Sequence, residues 1–405
     1  MRDLLVHAEG IRSGETAKAR SGCWVLVLDG RVVHCASRPP DAVPEGTPRG
    51  EGGWLVEPLA DAHVHLCLSG SFSPRERRLT ALLSREEALA RILELLEAYR
   101  RRGVAVVRDG GDPHGLVAEA AGIALRCPER FAAVLPAGEP LFRRGCYGSF
   151  LGTGVEGVEE GLERLRRARE TGARHIKILA TGLNSVDEAG VVGPASFAPE
   201  ELRVLLAEAR RLGLPSMIHA NGPLDGLGGA PGPDATLEHG FGLDGADPQR
   251  LAASGTPWTP TAAAWAALID HPEFTPAQRD VVRRTDERHG ADVRRGRAAG
   301  VRILVGSDAG TPGVGHGLGL KAELGRLMRY GLSGEQALAA ARRSCALCER
   351  ELGRPLGGLA VGGEAGFVHV REDPAQDLEA LDEPLGVWLG GRWTPVASEG
   401  YGAGP

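Results

Sequence analysis

Lysine is scarce in this sequence, and its few positions are the first clue to a functional site. Lys18, Lys177 and Lys321 are the only lysines among 47 basic residues, because arginine takes the other positions. Lys177 stands inside the apolar stretch RHIKILATG, residues 174–182, which is typical of a short buried strand. A buried ammonium group is costly unless it is neutralised or used. This lysine therefore requires a chemical explanation.

Other features that the sequence lacks exclude several classes of protein. The chain has no run of about 18 apolar residues, which excludes a membrane-spanning helix, and MRDLLVHAEGIRSG does not have the pattern of a signal peptide. A net charge of −6 and a pI near 6.1 leave no basic surface for nucleic acid. The seven cysteines are odd in number and scattered, as in a protein with reduced thiols. We therefore expect a cytoplasmic protein with a small-molecule substrate and no nucleic-acid or membrane partner; a homo-oligomer is compatible with this.

Two hairpin signals lie near opposite ends of the chain. CWVLVLDGRVVHCAS contains the turn dipeptide Asp29–Gly30, and GVWLGGRWTP contains Gly390–Gly391. We predict that residues 1–57 and 355–397 join in one small β-sandwich domain, followed by a tail of residues 398–405.

Between these ends, strand-like and helix-like segments alternate through residues 58–354. SREEALARILELLEAYRRRG is typical of the helices, with a capping box at Ser84 and Glu87 and a final Gly103. Eight such units, the last beginning with VRILVGSDAG, predict an α/β protein with a (β/α)8 TIM barrel. The chemistry of such a barrel lies at the carboxyl ends of its strands. A doubly wound open sheet is the alternative architecture.

Residue types that bind metals end four of the predicted strands, and Lys177 lies on a fifth. His63 and His65 in DAHVHL are two residues apart, so they face the same side of a strand. The other strand ends carry His219, His239 and Asp308. Each residue alone is also compatible with a hydrogen-bonded core histidine or a capping aspartate. Their spacing, however, fits successive units of one barrel, with the unit between His219 and His239 too short for a full helix.

This set of residues resembles the metal-dependent amidohydrolase superfamily. The stretches HVHL, IKILATG, HANG, EHG and GSDAG are most similar to its imidazolonepropionase-related enzymes and its Xaa-Pro or Xaa-Arg dipeptidases. The resemblance implies one divalent metal ion bound by His63, His65 and Asp308. It also implies a second, bound by His219 and His239, with zinc as the expected metal and Lys177 bridging the two ions.

Lysine chemistry explains why arginine does not stand at position 177. Desolvation lowers the pKa of a lysine, so its neutral amine can add carbon dioxide and become a carbamate with two oxygens. The implied reaction is hydrolysis of an amide bond in a dipeptide or N-acyl amino acid, by a hydroxide that bridges the two metals. Asp308 is the expected catalytic residue, because it can take the proton of the water and pass it to the leaving amine. No other cofactor is expected.

Several loop residues are candidates for binding the substrate, and more than one reaction fits this set of ligands. Candidate substrate-binding residues are Tyr147, Arg143, Asn184 and His316, and solvated loop positions are the alternative for them. A mononuclear cyclic-amide hydrolase or deaminase, in which Lys177 stays a free amine, is an alternative function. Lactone or phosphotriester hydrolysis could use the same site, and a non-catalytic scaffold is a third class.

Overall fold

Strands dominate the first and last segments of the chain, and helices alternate with strands between them. The computed structural model describes residues 1–396 and the short strand Tyr401–Gly402. The predicted tail comprises residues 398–405, and its other residues, 398–400 and 403–405, lie outside the described residues. No helix within the described ranges is long and apolar enough to cross a membrane.

The described strands are β1 (Leu4–Ser13), β2 (Lys18–Leu28), β3 (Arg31–Ala36), β4 (Arg49–Glu51), β5 (Trp54–Val56), β6 (Leu59–Val64), β7 (Val104–Asp109), β8 (Ala133–Leu135), β9 (Ile176–Leu179), β10 (Ser216–Ala220), β11 (Ala235–His239), β12 (Trp258–Thr259), β13 (Phe367–Val370), β14 (Gly386–Leu389), β15 (Arg392–Pro395) and β16 (Tyr401–Gly402). The described α-helices are α1 (Pro74–Ala81), α2 (Arg85–Arg101), α3 (Leu116–Arg126), α4 (Val158–Glu170), α5 (Pro199–Arg211), α6 (Asp247–Ser254), α7 (Ala262–Ala267), α8 (Pro276–Ala298), α9 (Gly319–Arg329) and α10 (Gly334–Leu352).

One sheet joins the two ends of the chain. Its strand order is β15-β14-β13-β5-β1-β2-β3, with β4 beside β1 and β16 beside β4. Both predicted hairpins are confirmed. Asp29 and Gly30 have φ of 48° and 77°, and Gly390 and Gly391 have φ of 65° and 71°, which are the left-handed values that such turns require. β13 pairs antiparallel with β5, so this pairing connects the C-terminal strands to the N-terminal ones.

The middle of the chain forms two parallel sheets covered by helices. Their orders are β6-β7-β8 and β12-β11-β10-β9. Every residue of β6, β7, β9, β10 and β11 is buried, as expected for strands with other elements on both faces. Helix α2 has the predicted capping box at Ser84 and Glu87 and packs Ile92, Leu96 and Tyr99 inward. The molecule therefore has a mixed α/β fold.

The predicted eighth strand, VRILVGSDAG, is not a regular strand. It forms isolated parallel bridges from Ile303 to Trp258 and from Ala309 to Val64. Side chains take two of its backbone donors: Val305 N donates to Ser344 Oγ at 2.7 Å, and Ser307 N donates to Asp61 Oδ1 at 2.8 Å. A regular ladder is therefore interrupted, although the segment still lies between β12 and β6.

The unit between β10 and β11 is too short for a full helix, as predicted from the sequence. In place of an α-helix it has a single 3-10 turn, Leu224–Leu227. His219 and His239 lie on these two strands, which pair in parallel.

Candidate metal centre

His63 and His65 meet Asp308 at the end of β6. His63 Nε2 lies 3.5 Å from Asp308 Oδ1, and His65 Nε2 lies 3.3 Å from the same oxygen. The ligand atoms of the three residues all lie within 4.8 Å of one another, and all three side chains are buried. This compact His-His-Asp group can hold a metal ion.

Backbone hydrogen bonds bring Asp308 to this position. Asp308 N donates to His63 O at 2.8 Å, and His65 N donates to Ala309 O at 2.7 Å. Asp308 has φ of 57°, and His239 and Thr261 have φ of 66° and 48°. Left-handed backbone is uncommon outside glycine, especially for a β-branched threonine, and such residues often lie at functional sites.

Lys177 extends from β9 into the same cluster. Its side chain is 1% exposed, and its Nζ lies 3.0 Å from His63 Nε2. Desolvation lowers its pKa to about 8, although the nearby carboxylates of Glu238 and Asp308 oppose this shift. A larger fraction of Lys177 is therefore neutral amine at neutral pH than of an ordinary lysine.

His219 and His239 lie on neighbouring strands and complete the cluster. Their ring centroids are 4.4 Å apart, and the His239 ring is 5.0 Å from that of His63. Burial lowers the pKa of His219 to about 3 and lowers the pKa of His63 and His239 well below the usual value. The three rings are therefore neutral, which is the form that binds metal ions.

The buried polar atoms of the cluster fit a divalent cation. Asp308 Oδ1 is buried against two imidazole nitrogens and has no hydrogen-bond donor among the described residues. A carboxylate oxygen in such a place needs a proton or a cation. Imidazole nitrogens with one carboxylate oxygen are ligands that suit zinc.

Side chains behind the ligands set which nitrogen of each ring faces the centre. His63 Nδ1 lies 2.7 Å from Glu238 Oε2, so it carries the hydrogen and donates it to that carboxylate. Thr261 Oγ1 donates to Pro260 O and therefore accepts from His239 Nδ1 at 2.6 Å. In both rings Nε2 is left without a hydrogen, so its lone pair can bind a metal ion.

Glu238 and the arginine that faces it belong to the centre but are not among the residues predicted from the sequence. Arg108 Nη1 lies 3.7 Å from Glu238 Oε1, and both side chains are fully buried. Each is a charged residue next to the last position of a buried strand, ATLEH or VAVVRD. A charged residue in an apolar strand, the signal that identified Lys177, also marks both of them.

The four candidate substrate-binding residues divide into two pairs. Tyr147 and Asn184 line a cavity that opens at the cluster. Arg143 does not line it, because its guanidinium donates to Ser196 O, Glu156 O and Glu201. His316 does not line it either; its Nε2 lies 3.0 Å from Leu68 O and its Nδ1 lies 3.2 Å from Tyr99 Oη.

Comparison with known proteins finds one family model and several similar chains. The model of the Amidohydrolase family matches residues 58–394. An uncharacterized protein of Mycobacterium bovis is 27% identical over 400 residues, covering 96% of each chain. Ochratoxinase of Aspergillus niger is 26% identical over 288 residues, which are 67% of this chain and 57% of ochratoxinase.

Solved structures show the same fold at low sequence identity. A Xaa-Pro dipeptidase with bound methionine has a TM-score of 0.79 and 20% identity, and the match covers 97% of this chain and all of that one. The structure of A. niger ochratoxinase has a TM-score of 0.77 and 20% identity, with 98% and 96% of the two chains covered.

Proposed function

This chain belongs to the amidohydrolase family and is a hydrolase of carbon–nitrogen bonds, and from that premise we propose that it cleaves an amide bond of a small molecule with two divalent metal ions. The observation that carries the proposal is the convergence of ligand-type side chains from both parallel sheets on one buried centre. Dipeptides and N-acyl amino acids are the candidate substrates that follow from the resemblance.

The proposed ligands divide between two sites. His63, His65 and Asp308 would hold one ion, and His219 and His239 the other. Lys177, as a carbamate, would contribute one oxygen to each. This division is supported by the 3.0 Å approach of Lys177 Nζ to His63 Nε2 and by the paired rings of His219 and His239.

The roles of the protein groups follow from their positions. Divalent ions at such a centre supply Lewis acidity and lower the pKa of water. Asp308 would accept a proton from that water and return it to the leaving nitrogen, since its carboxylate faces the cavity. Glu238 and Thr261 would hold His63 and His239 in the tautomers that bind metal.

The proposed scaffold is a (β/α)8 barrel that spans residues 58–354, with a small domain from residues 1–57 and 355–397. The bridges from Ile303 to Trp258 and from Ala309 to Val64 support a closed barrel, because they connect the edges of the two parallel sheets. Leu141 bridges Ile178 on the opposite side.

A mononuclear cyclic-amide hydrolase or deaminase is the second candidate. It is favoured by the compact group of His63, His65 and Asp308, which can hold one metal ion without help from Lys177. In that case Lys177 would remain an amine.

Metal content separates the two candidates. Protein purified without chelators should contain two metal ions per chain by elemental analysis, and Lys177→Ala should lose bound metal. Lys18→Ala is the matched control, because Lys18 is exposed on β2 and should leave the count unchanged. One ion per chain, or two retained in Lys177→Ala, would contradict the carbamate-bridged pair.

Turnover tests the assignment of Asp308. Asp308→Asn should lower kcat by about 100-fold or more, because the amide cannot accept the proton. The control is Asp280→Asn, at an exposed aspartate whose salt bridge is with Arg284. Near wild-type kcat in Asp308→Asn would reject Asp308 as the proton carrier.

A further inference from the structure

The cavity in front of the metal centre has two apolar walls. It has a volume of about 240 Å³. The first wall consists of Tyr147, Phe150 and Leu151, and the second of Phe241, Trp265 and Leu268. Each wall is part of a small hydrophobic cluster of its own, with Phe142 behind the first and Val282 behind the second. The walls are therefore supported parts of the structure.

Trp265 is the largest residue of the two walls, and its indole nitrogen already donates a hydrogen bond within the protein. Trp265 Nε1 donates to Val282 O at 3.0 Å, and the Trp265 and Phe241 rings have centroids 5.3 Å apart. Across the cavity, the Tyr147 and Phe150 rings are 5.3 Å apart. These aromatic surfaces are suited to an aromatic or branched alkyl group.

Outside the metal centre, the described cavity lining offers no cation to a substrate carboxylate. It contains no arginine, and its lysine is Lys177, within the metal cluster. Arg143 and Arg144 lie on the same loop as Tyr147, but Arg143 binds Glu201, and Arg144 Nη1 lies 2.8 Å from Glu156 Oε1. A carboxylate placed between the apolar walls would lose water without gaining a charged partner, which is unfavourable.

Uncharged polar groups and exposed apolar side chains complete the lining. Asn184 supplies an amide that can donate to or accept from a neutral substrate. Phe150 and Leu183 line the cavity although they are 48% and 52% exposed. Large apolar side chains exposed at a cavity commonly mark a binding surface.

We propose that the substrates are uncharged amides that carry an aromatic or branched alkyl group, and that substrates with an ionised carboxylate beside the scissile bond are disfavoured. This inference rests on the proposed function. It narrows the substrate class from dipeptides and N-acyl amino acids to neutral amides of similar size.

A matched pair of ligands tests the proposal. N-phenethylacetamide and N-acetyl-L-phenylalanine differ only in the carboxylate. Calorimetric titration of metal-loaded Asp308→Asn measures binding without turnover, and steady-state assays of the wild-type enzyme measure cleavage. We expect the neutral amide to bind about tenfold or more tightly and to be cleaved with a correspondingly higher kcat/KM.

A positive charge placed at the cavity should reduce the preference for the neutral amide over the carboxylate. In the same background, Leu183→Arg should improve binding of N-acetyl-L-phenylalanine about tenfold, because it supplies the missing cation. Leu79→Arg is the control, since Leu79 lies on α1 outside the cavity lining and is 53% exposed, close to the 52% of Leu183. It should leave the preference unchanged.

The outcomes separate this inference from the proposed function. Equal binding of the two ligands, tighter binding of the carboxylate, or no binding of either would overturn the neutral-substrate class. If the neutral amide binds more tightly but wild-type enzyme cleaves neither ligand, the selectivity of the cavity is supported and the proposed amide hydrolysis is contradicted.

Discussion

Glu238 illustrates, at the scale of single residues, how a side chain that does not face the cavity can control the metal centre. It is fully buried, and its two oxygens face different partners: Oε2 lies 2.7 Å from His63 Nδ1, and Oε1 lies 3.7 Å from Arg108 Nη1. Thr236 Oγ1 also donates to Oε1. The carboxylate therefore fixes both the tautomer and the orientation of His63.

Replacing this carboxylate should weaken metal binding. Glu238→Gln keeps the shape of the side chain but removes the charge that favours the Nδ1 hydrogen of His63. We expect the metal affinity to fall about 10–100-fold, measured by competition with a chromogenic chelator. Because Glu238 acts through His63, it is a positioning residue.

A second buried glutamate provides the control for this measurement. Glu323 on α9 is also fully buried, but it accepts a hydrogen bond from Ala263 N at 2.7 Å and does not contact His63. Glu323→Gln should leave the metal affinity near that of the wild type. Equal affinities in Glu238→Gln, Glu323→Gln and the wild type would remove Glu238 from its assigned role.

At the scale of secondary-structure elements, the β14–β15 hairpin connects the terminal sheet to the helical layer. Its turn, Gly390–Gly391, packs against Pro128 at the end of α3. Arg100 of α2 donates to Leu389 O at 2.9 Å, to Thr394 Oγ1 at 3.2 Å and to Pro128 O at 3.2 Å. The hairpin is therefore fixed by its own turn and by α2.

The two turn glycines should tolerate alanine differently. Both have left-handed φ, so each alanine should cost about 1–2 kcal/mol in backbone strain. A Cβ on Gly390 would also lie 2.5 Å from Pro128 O, whereas a Cβ on Gly391 would meet no atom within 4 Å. Urea unfolding should therefore give a larger loss of unfolding free energy for Gly390→Ala than for Gly391→Ala. Equal losses would argue against close packing of the turn on Pro128.

At the scale of the whole molecule, the metal centre joins parts of the chain that are far apart in sequence. The proposed ligands come from β6, β9, β10 and β11 and from the segment that follows Ile303. Metal ions bound there would connect both parallel sheets. Such ions bind the folded chain in preference to the unfolded chain, so they should stabilise it.

Metal removal should lower the stability of the entire molecule. When free metal exceeds its Kd about a thousandfold, binding contributes about 4 kcal/mol. Dialysis against a chelator should therefore lower Tm in a thermal scan, and dialysis in the same buffer without chelator should not. Return of zinc should restore Tm. An unchanged Tm in protein shown to be metal-free would contradict a centre that connects the two sheets.

Local features of the fold could be predicted well because short segments determine them. The Asp29–Gly30 and Gly390–Gly391 turns depend on the φ values that their own residues allow. The capping box of Ser84 and Glu87 closes within one helical turn. VRILVGSDAG was predicted with less success, since Ser344 and Asp61 take hydrogen-bond donors that a regular ladder would use.

By itself, the sequence determined which residue types end the buried strands, and hence the choice of His63, His65, Lys177, His219, His239 and Asp308 as candidate ligands. Alternation of strands and helices is a local pattern, and a lysine in an apolar strand is visible without any fold. Only the tertiary structure decided that Arg143 turns to Glu201 and away from the cavity, and that Glu238 meets His63 across 175 residues of chain. Such contacts depend on packing between distant segments, which no local pattern of residues encodes.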